Sequence, residues 1–353
     1  MKTLIVPCAG KSTRFQGMKP KWMLTHPTGK LVVEEAISGL PLEMYDRIII
    51  TIVKEHSEKY EAHIILEQIF AQNKKIEICE LDDFTNSQAE TVYKTLALQK
   101  VTGEFVVKDS DNHVHVTNLE PAEFIVGLDI NKFHKEIYRL KSKSFLITND
   151  QHIVTDIIEK RISSEKICLG VYGFSDPSKF NEAYEYLVQN NTSEEIYLSH
   201  VISYLIGTNK SVYTYIESKE FEDWGTLADW QITQKRHATY FIDIDGIILQ
   251  NRGKYGKENW SNTAEEIKEN LDIIKRISDD GAQIVFTTSR TEGDLTLVKK
   301  ILAEYAIQPH AFVTSCNHAP RVLINDFAPT NPYPSAKAVN VPRNGSLATY
   351  IEK

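Results

Sequence analysis

Short apolar runs recur along the chain with helix-length segments between them: Leu4–Val6, Arg47–Lys54, Ile76–Leu81 and Phe105–Lys108. Runs of this length, rich in Ile and Val, read as strands. From His56 to Gln72, Tyr60, Ile64, Ile65, Ile69 and Phe70 recur at helical spacing, and from Ala89 to Gln99, Val92, Leu96 and Leu98 do the same. Strands alternating with helices predict βαβ units, an α/β fold and a mainly parallel sheet.

A second start follows Lys235–Arg236–His237, where the run Tyr240–Gly246 signals a new buried strand. The expected division is therefore 1–236 and 237–353. Thr263 with Glu266 has capping-box spacing, and Ile267, Leu271, Ile274 and Ile277 continue one apolar helix face that Asp280–Gly281 ends. A strand at Gln283–Phe286, a helix from Leu295 to Tyr305 and a strand at Val322–Ile324 complete a second α/β pattern.

The chain has 353 residues, 42% of them apolar and 25% charged, enough for two ordinary cores. Its formal net charge of -8 is spread along the chain with no basic stripe, which argues against a nucleic-acid partner. Cys8, Cys79, Cys168 and Cys316 lie far apart, form no C-x-x-C pair and read as reduced thiols. The N-terminal apolar run meets Lys11 too early for a signal peptide, and nothing approaches a membrane span. A cytoplasmic enzyme without a membrane partner is expected; a homo-oligomer is compatible with the sequence, which does not set the copy number.

The first strand leads into Ala9-Gly10-Lys11-Ser12-Thr13-Arg14, followed by Lys19-Pro20-Lys21. A turn of small residues at a strand end lets backbone N–H groups approach a polyphosphate, and Arg14 and Lys21 can neutralise it. The G-x-x-x-x-G-K-[ST] spacing of a Walker A loop is missing. Gly10 to Arg14 with Pro20-Lys21 resembles the sugar nucleotidyltransferase signature G-x-G-T-R…P-K, with Ser12 in place of the second glycine. The resemblance continues to about residue 230. Ser87-Gln88-Ala-Glu-Thr91 stands where that family recognises the base, giving Gln88 and Thr91 as nucleotide contacts. Asp111, with Asp109 as helper, matches the first metal-binding aspartate, and Asp223-Trp-Gly-Thr226 the segment of the second. Glu159-Lys160 matches the pair that holds the acceptor's hydroxyls and phosphate. The resemblance implies a Rossmann-like nucleotidyltransferase domain in which Mg²⁺ on Asp111 and Asp223 offsets the repulsion between an acceptor phosphate and a nucleoside triphosphate. Arg14 and Lys21 support the leaving pyrophosphate, and no protein nucleophile is needed. Pro7-Cys8, Ser12 and Trp224 depart from the family pattern. The segment Pro20–Pro27 looks like variants from surface-polysaccharide pathways and favours CTP, with UTP and dTTP left open.

Phe241-Ile-Asp243-Ile-Asp245-Gly246 resembles motif I of the haloacid dehalogenase superfamily. Two aspartates at i and i+2 on a strand end can serve as nucleophile (Asp243) and proton donor (Asp245). Thr288, with Thr287 next, resembles motif II, and Asp326 after Ile324-Asn325 resembles the acidic motif that completes a Mg²⁺ site with Asp243 and Asp245. Arg321 is the candidate for the basic motif, where the family has lysine. The spacings between these motifs leave no room for a cap, so the resemblance implies a capless Rossmannoid phosphatase. The whole chain then reads as a bifunctional enzyme of activated-sugar or polyol metabolism: a nucleotidyltransferase acting on a nucleoside triphosphate and a sugar or polyol phosphate, fused to a phosphatase. A phosphatase with a nucleotide-sensing N-terminal domain and a Mg²⁺-binding scaffold are the alternatives.

Overall fold

The computed structural model describes residues 1–12, 15, 17–132, 140–190, 195–251, 265–326 and 335–351. They form two compact units, Met1–Trp230 and Gln231–Lys353. The division falls inside the helix Leu227–Arg236, earlier than the sequence pattern placed it, because Trp230 at the end of the first unit is buried with Phe15, Val32, Ala36 and Trp224.

The first unit has strands β1 (Lys2–Pro7), β2 (Arg47–Val53), β3 (Ile76–Leu81), β4 (Glu104–Lys108), β5 (Asn112–Val114), β6 (Phe124–Asp129), β7 (Phe145–Thr148), β8 (Ile153–Ile158), β9 (Lys166–Phe174), β10 (Tyr213–Glu217) and β11 (Phe221–Asp223). Nine of the described strands make one sheet in the order β3-β2-β1-β4-β9-β6-β10-β8-β7, and β5 pairs with β11 alone. Alternate residues of the central strands enter opposite cores: Leu4, Val6, Ile48, Ile50 and Ile52 on one side, Ile5, Ile49 and Val53 on the other. Each such side chain contributes roughly 1.5–3 kcal/mol by leaving water, which is why these strands carry almost no polar positions.

The expected mainly parallel sheet is found in β3-β2-β1-β4 and again between β6 and β10. β9 runs antiparallel to both β4 and β6, and β7 and β8 form an antiparallel hairpin. For β7 and β8 the reason is connection length, since parallel neighbours need a crossover of a dozen or more residues. Between β7 and β8 there is only a tight turn, closed by Asn149, whose Oδ1 accepts the N–H groups of Gln151 and Ile153.

The expected single helix over 56–72 is two, Lys54–Tyr60 and Ala62–Ile69. Glu61 between them is left-handed, with φ of 57°. The break turns Ala62 and Leu66 into the core and leaves Ile64 53% exposed, so the apolar face read from the sequence is rotated. The helix Gln88–Leu98 forms where the pattern placed it, started by Ser87, whose Oγ accepts the Glu90 N–H at 3.1 Å.

In the second unit β12 (Thr239–Asp243), β13 (Gln283–Thr287) and β14 (Ala311–Val313) are parallel and in that order. The helices Lys268–Asp279 and Thr296–Glu304 bury Leu271, Ile274, Val298 and Leu302 with Ile242, Ile284 and Phe286. The first of these helices starts after Ile267, and Thr263 of the expected capping box lies outside the described residues. The strand expected at Val322–Ile324 does not form. These residues are 80%, 61% and 90% exposed and pair with no described strand. Three apolar residues after Pro320 have too little local preference to extend without a sheet edge to join. No described helix is long and apolar enough to cross a membrane.

Candidate active site

The C-terminal ends of β1 and β4 open onto a cavity of about 530 Å³ lined by Gly10, Lys11, Ser12, Lys21, Gln88, Thr91, Asp109, Asp111, Lys143, Glu159, Lys160 and Asp223. Most of the residues singled out in the first unit are thus brought to one place. Thr13 and Arg14 lie outside the described residues. Ser12 has φ of 48°, a left-handed conformation that favours glycine, which accounts for the family's preference at the position this chain fills with serine. Ala9 is buried, and its carbonyl accepts the Thr85 N–H at 3.3 Å, tying the loop to the segment before Gln88.

The acidic pair is built by one local and one long-range device. Lys108, fully buried, donates to the carbonyls of Asp109 (2.7 Å) and Asn112 (2.9 Å) and to the Asn112 side chain, which fixes the turn carrying Asp109 and Asp111. Antiparallel pairing of β5 with β11 sets Asp223 opposite Asn112. The Trp224 N–H also reaches the Asp111 carbonyl at 2.8 Å. A Cβ placed on Gly225 would lie 3.1 Å from both Asp111 Oδ2 and Asp223 Oδ1, so the two carboxylates converge on this glycine.

Each carboxylate is paired with an ammonium: Lys21 with Asp111, and Lys143 with Asp223. Burial works to raise the Asp111 carboxyl, but the charges of Lys21, Lys108 and Lys143 and the Lys21 hydrogen bond bring it below its ordinary value. Asp109 goes the other way, pushed up to about 6 by burial and by Asp111. Burial also lowers the Lys108 ammonium to about 8. Asp109 is held by Gln88, and Gly170, with φ of 71°, makes the room: a Cβ there would stand 2.1 Å from Asp109 Oδ2. Two converging carboxylates, with only oxygen donors, suit Mg²⁺, and the two lysines occupy the place of its charge.

On another wall of the cavity, Glu159 Oε2 accepts the hydroxyls of Ser144 (2.5 Å) and Ser199 (2.7 Å). Lys160, with φ of 53°, places Nζ 4.0 Å from the centre of the Tyr197 ring and donates to the Tyr197 hydroxyl, which in turn reaches Glu195.

The sequence reading missed Lys143, Ser144, Tyr197, Ser199 and Gly170. None stands in a motif, and only the folded chain brings them to Glu159 and the aspartates. Part of the segment 87–91 is structural: Ser87 and Glu90 cap the helix, and the Thr91 hydroxyl is 2.6 Å from that of Thr85. Trp224 turns into the small apolar cluster with Trp230 and is not among the cavity-lining residues.

No protein-family model matches the sequence, and comparison with curated proteins finds no match. Solved structures do match. The nucleoside-diphosphate-sugar pyrophosphorylase from Vibrio cholerae RC9 superposes with a TM-score of 0.54 at 21% identity, covering 65% of this chain and 98% of that one. The inositol-1-phosphate CTP transferase from T. maritima gives 0.51 at 13% identity, over 66% and 94% of the two chains. About two thirds of this chain shares the mixed α/β fold of these two structures. The covered share of the chain is about what residues 1–230 make up.

In the second unit Asp243 ends β12, and the register sets Thr287 of β13 directly across from it. Arg321 Nη2 lies 3.4 Å from Asp243 Oδ1. Burial raises the Asp243 carboxyl, opposed by the Arg321 charge. Asp245 is gripped by Arg290, whose Nε and Nη2 donate to its two oxygens at 3.0 and 2.7 Å; Arg290 is 1% exposed, and its role was not foreseen. Thr288 Oγ1 accepts the Arg290 N–H at 3.1 Å. Gly246 has φ of 99°, which explains the glycine after the two aspartates. Asp326 is exposed and on no strand; its carbonyl accepts the Ser335 hydroxyl, so the strand end expected to aim it at Asp243 is missing.

Proposed function

We propose that the first unit transfers a nucleoside monophosphate from a nucleoside triphosphate, CTP by preference, to a sugar or polyol phosphate. The observation that supports this most strongly is the convergence of Asp111 and Asp223 on Gly225, in a cavity that also presents Glu159 and Lys160. Asp111 and Asp223 would hold Mg²⁺, which would supply Lewis-acid polarisation of the α-phosphate and offset the charge of both anions. Lys160 binds the acceptor phosphate, and Glu159, oriented by Ser144 and Ser199, accepts its hydroxyls. An acceptor phosphate oxygen forms the new bond to the α-phosphorus, the bond to the bridging oxygen of the β-phosphate breaks, and pyrophosphate leaves with that electron pair. Lys21, with Arg14 of the same loop, stabilises the departing charge. Gln88, Thr91, Gly10, Lys11 and Ser12, which line the cavity, would contact the nucleotide. CTP and a polyol phosphate are the substrates named for the T. maritima neighbour, which agrees with the preference read from Pro20–Pro27.

For the second unit we infer a phosphomonoesterase of haloacid dehalogenase type, supported by Asp243 at a parallel strand end beside Thr287 and Arg321. An Asp243 oxygen bonds to phosphorus as the ester P–O bond breaks and the leaving alcohol oxygen takes a proton; water then cleaves the phosphoaspartate to release inorganic phosphate. Asp243 would hold Mg²⁺, since Arg290 already bonds both oxygens of Asp245.

The test is release of pyrophosphate and of phosphate, followed in parallel, from CTP, UTP, dTTP, ATP and GTP with a panel of sugar and polyol phosphates and Mg²⁺. Pyrophosphate from one nucleotide–acceptor pair is expected. Phosphate release with no pyrophosphate from any pair would leave the second unit as the enzyme and the first as a nucleotide-binding domain.

A further inference from the structure

We propose that Lys143 is a phosphate-binding residue of the acceptor half of this cavity, parked on Asp223 until a divalent cation occupies that carboxylate. The inference rests on the nucleotidyl-transfer reading of the first unit.

Asp223 has two oxygens. Oδ1 accepts the Gly225 N–H at 3.0 Å, and Oδ2 is taken by the Lys143 ammonium. A metal ion reaching Asp223 brings a second cation onto a carboxylate that already holds the Lys143 ammonium, and two cations on one small carboxylate repel each other strongly. Lys143 must then give way. Its side chain is only 15% exposed, with the ammonium 5.4 Å from the centre of the Phe221 ring, so retreat into bulk water is restricted.

The remaining direction is set by the backbone. The Lys143 carbonyl accepts the Lys160 N–H at 3.1 Å, so the two lysines sit on adjoining segments of the cavity wall, with Ser144 reaching Glu159 from the next position. An acceptor phosphate held by Lys160 would be the nearest new anion to a displaced Lys143. A lysine suits this exchange: it is a single charge on a four-carbon stem that can swing between partners, whereas arginine would hold the carboxylate with two bonds. The ion pair is therefore a switch between substrate-free and loaded states, and one residue prepares both the metal and the phosphate positions.

The experiment uses the full chain and its Lys143→Met, Lys143→Gln and Lys143→Arg variants. Mg²⁺ alone, and then inorganic phosphate with Mg²⁺ present, are titrated by the shift in melting temperature. Removing the competing ammonium should tighten Mg²⁺ binding about tenfold in Lys143→Met and Lys143→Gln. The same variants should bind phosphate about tenfold or more weakly, with Lys143→Arg recovering part of that loss. A lysine that merely supports the fold would weaken both ligands together. Looser Mg²⁺ binding, or unchanged phosphate binding, would overturn the inference while leaving pyrophosphate release by the wild type intact. A wild type that binds no Mg²⁺ and releases no pyrophosphate would instead remove the reading on which it stands.

Discussion

In the first unit the paired carboxylates Asp111 and Asp223 are each held by a lysine, whereas in the second Asp245 is held by an arginine that grips both of its oxygens. A lysine neutralises a carboxylate from one point and can leave it; a buried, bidentate arginine fixes the carboxylate's position and charge together. The first arrangement leaves each acid on a partner that can be exchanged, in a cavity open to solvent. The second holds one aspartate still beside another, Asp243, whose only arginine contact among the described residues is a long one to the half-exposed Arg321. Aspartates near strand ends are thus held by a partner that can leave in one unit and by a rigid fork in the other.

The largest effect expected from this contrast is catalytic. Lys21→Ala should lower kcat for pyrophosphate release about 10²–10³-fold with little change in melting, because the cation acts on the departing charge. A loss of stability with kcat preserved would break the comparison by making Lys21 structural. In the second unit the order reverses. Arg290→Met should destabilise that unit by about 2–3 kcal/mol in denaturant unfolding, since it strips a buried partner from Asp245, whose partial access to water keeps the cost below that of a wholly buried pair.

How far these sites could be read in advance depended on the range of the interactions. The strands around Ile5, Ile49 and Val106 and the helix after Ser87 were legible because burial on both faces, or a side-chain cap, is written in adjacent residues. Asp111 and Asp223 were legible one at a time, as residues near strand ends. Their meeting was not, because it depends on β5 and β11, each three residues long and far apart in sequence. Lys143 sits in a polar stretch without a motif, and nothing local distinguishes it from Lys141. Val322–Ile324 shows the opposite error: the residues have strand character, but a strand exists only where a neighbour supplies its hydrogen bonds.

Acid sharpens the contrast on the first unit's side. Burial against Trp22 and Phe84 lowers the His56 imidazole to about 4. A depressed histidine costs nothing above the unfolded value of about 6.5, and stability is lost as pH falls from there toward 4. The loss should reach about 2 kcal/mol at pH 5. Asp109, with its raised value, works in the opposite sense, so the measurement is the difference in unfolding free energy between wild type and His56→Phe at pH 7 and pH 5. An equal difference at both would remove His56 as the cause. The smallest effect is at Arg47 and Glu77, joined by two hydrogen bonds of 2.8 and 2.6 Å on partly exposed strand positions. Glu77→Gln should cost under about 1 kcal/mol and lose most of that in high salt. Set beside Arg290→Met, it measures what burial adds to the same fork of hydrogen bonds.

The central claim, two separate chemistries in one chain, is tested most directly by following both products in one reaction for wild type, Asp111→Ala and Asp243→Asn. The account predicts that Asp111→Ala loses pyrophosphate release and keeps phosphate release, and that Asp243→Asn does the reverse. Loss of both products with either substitution would contradict it.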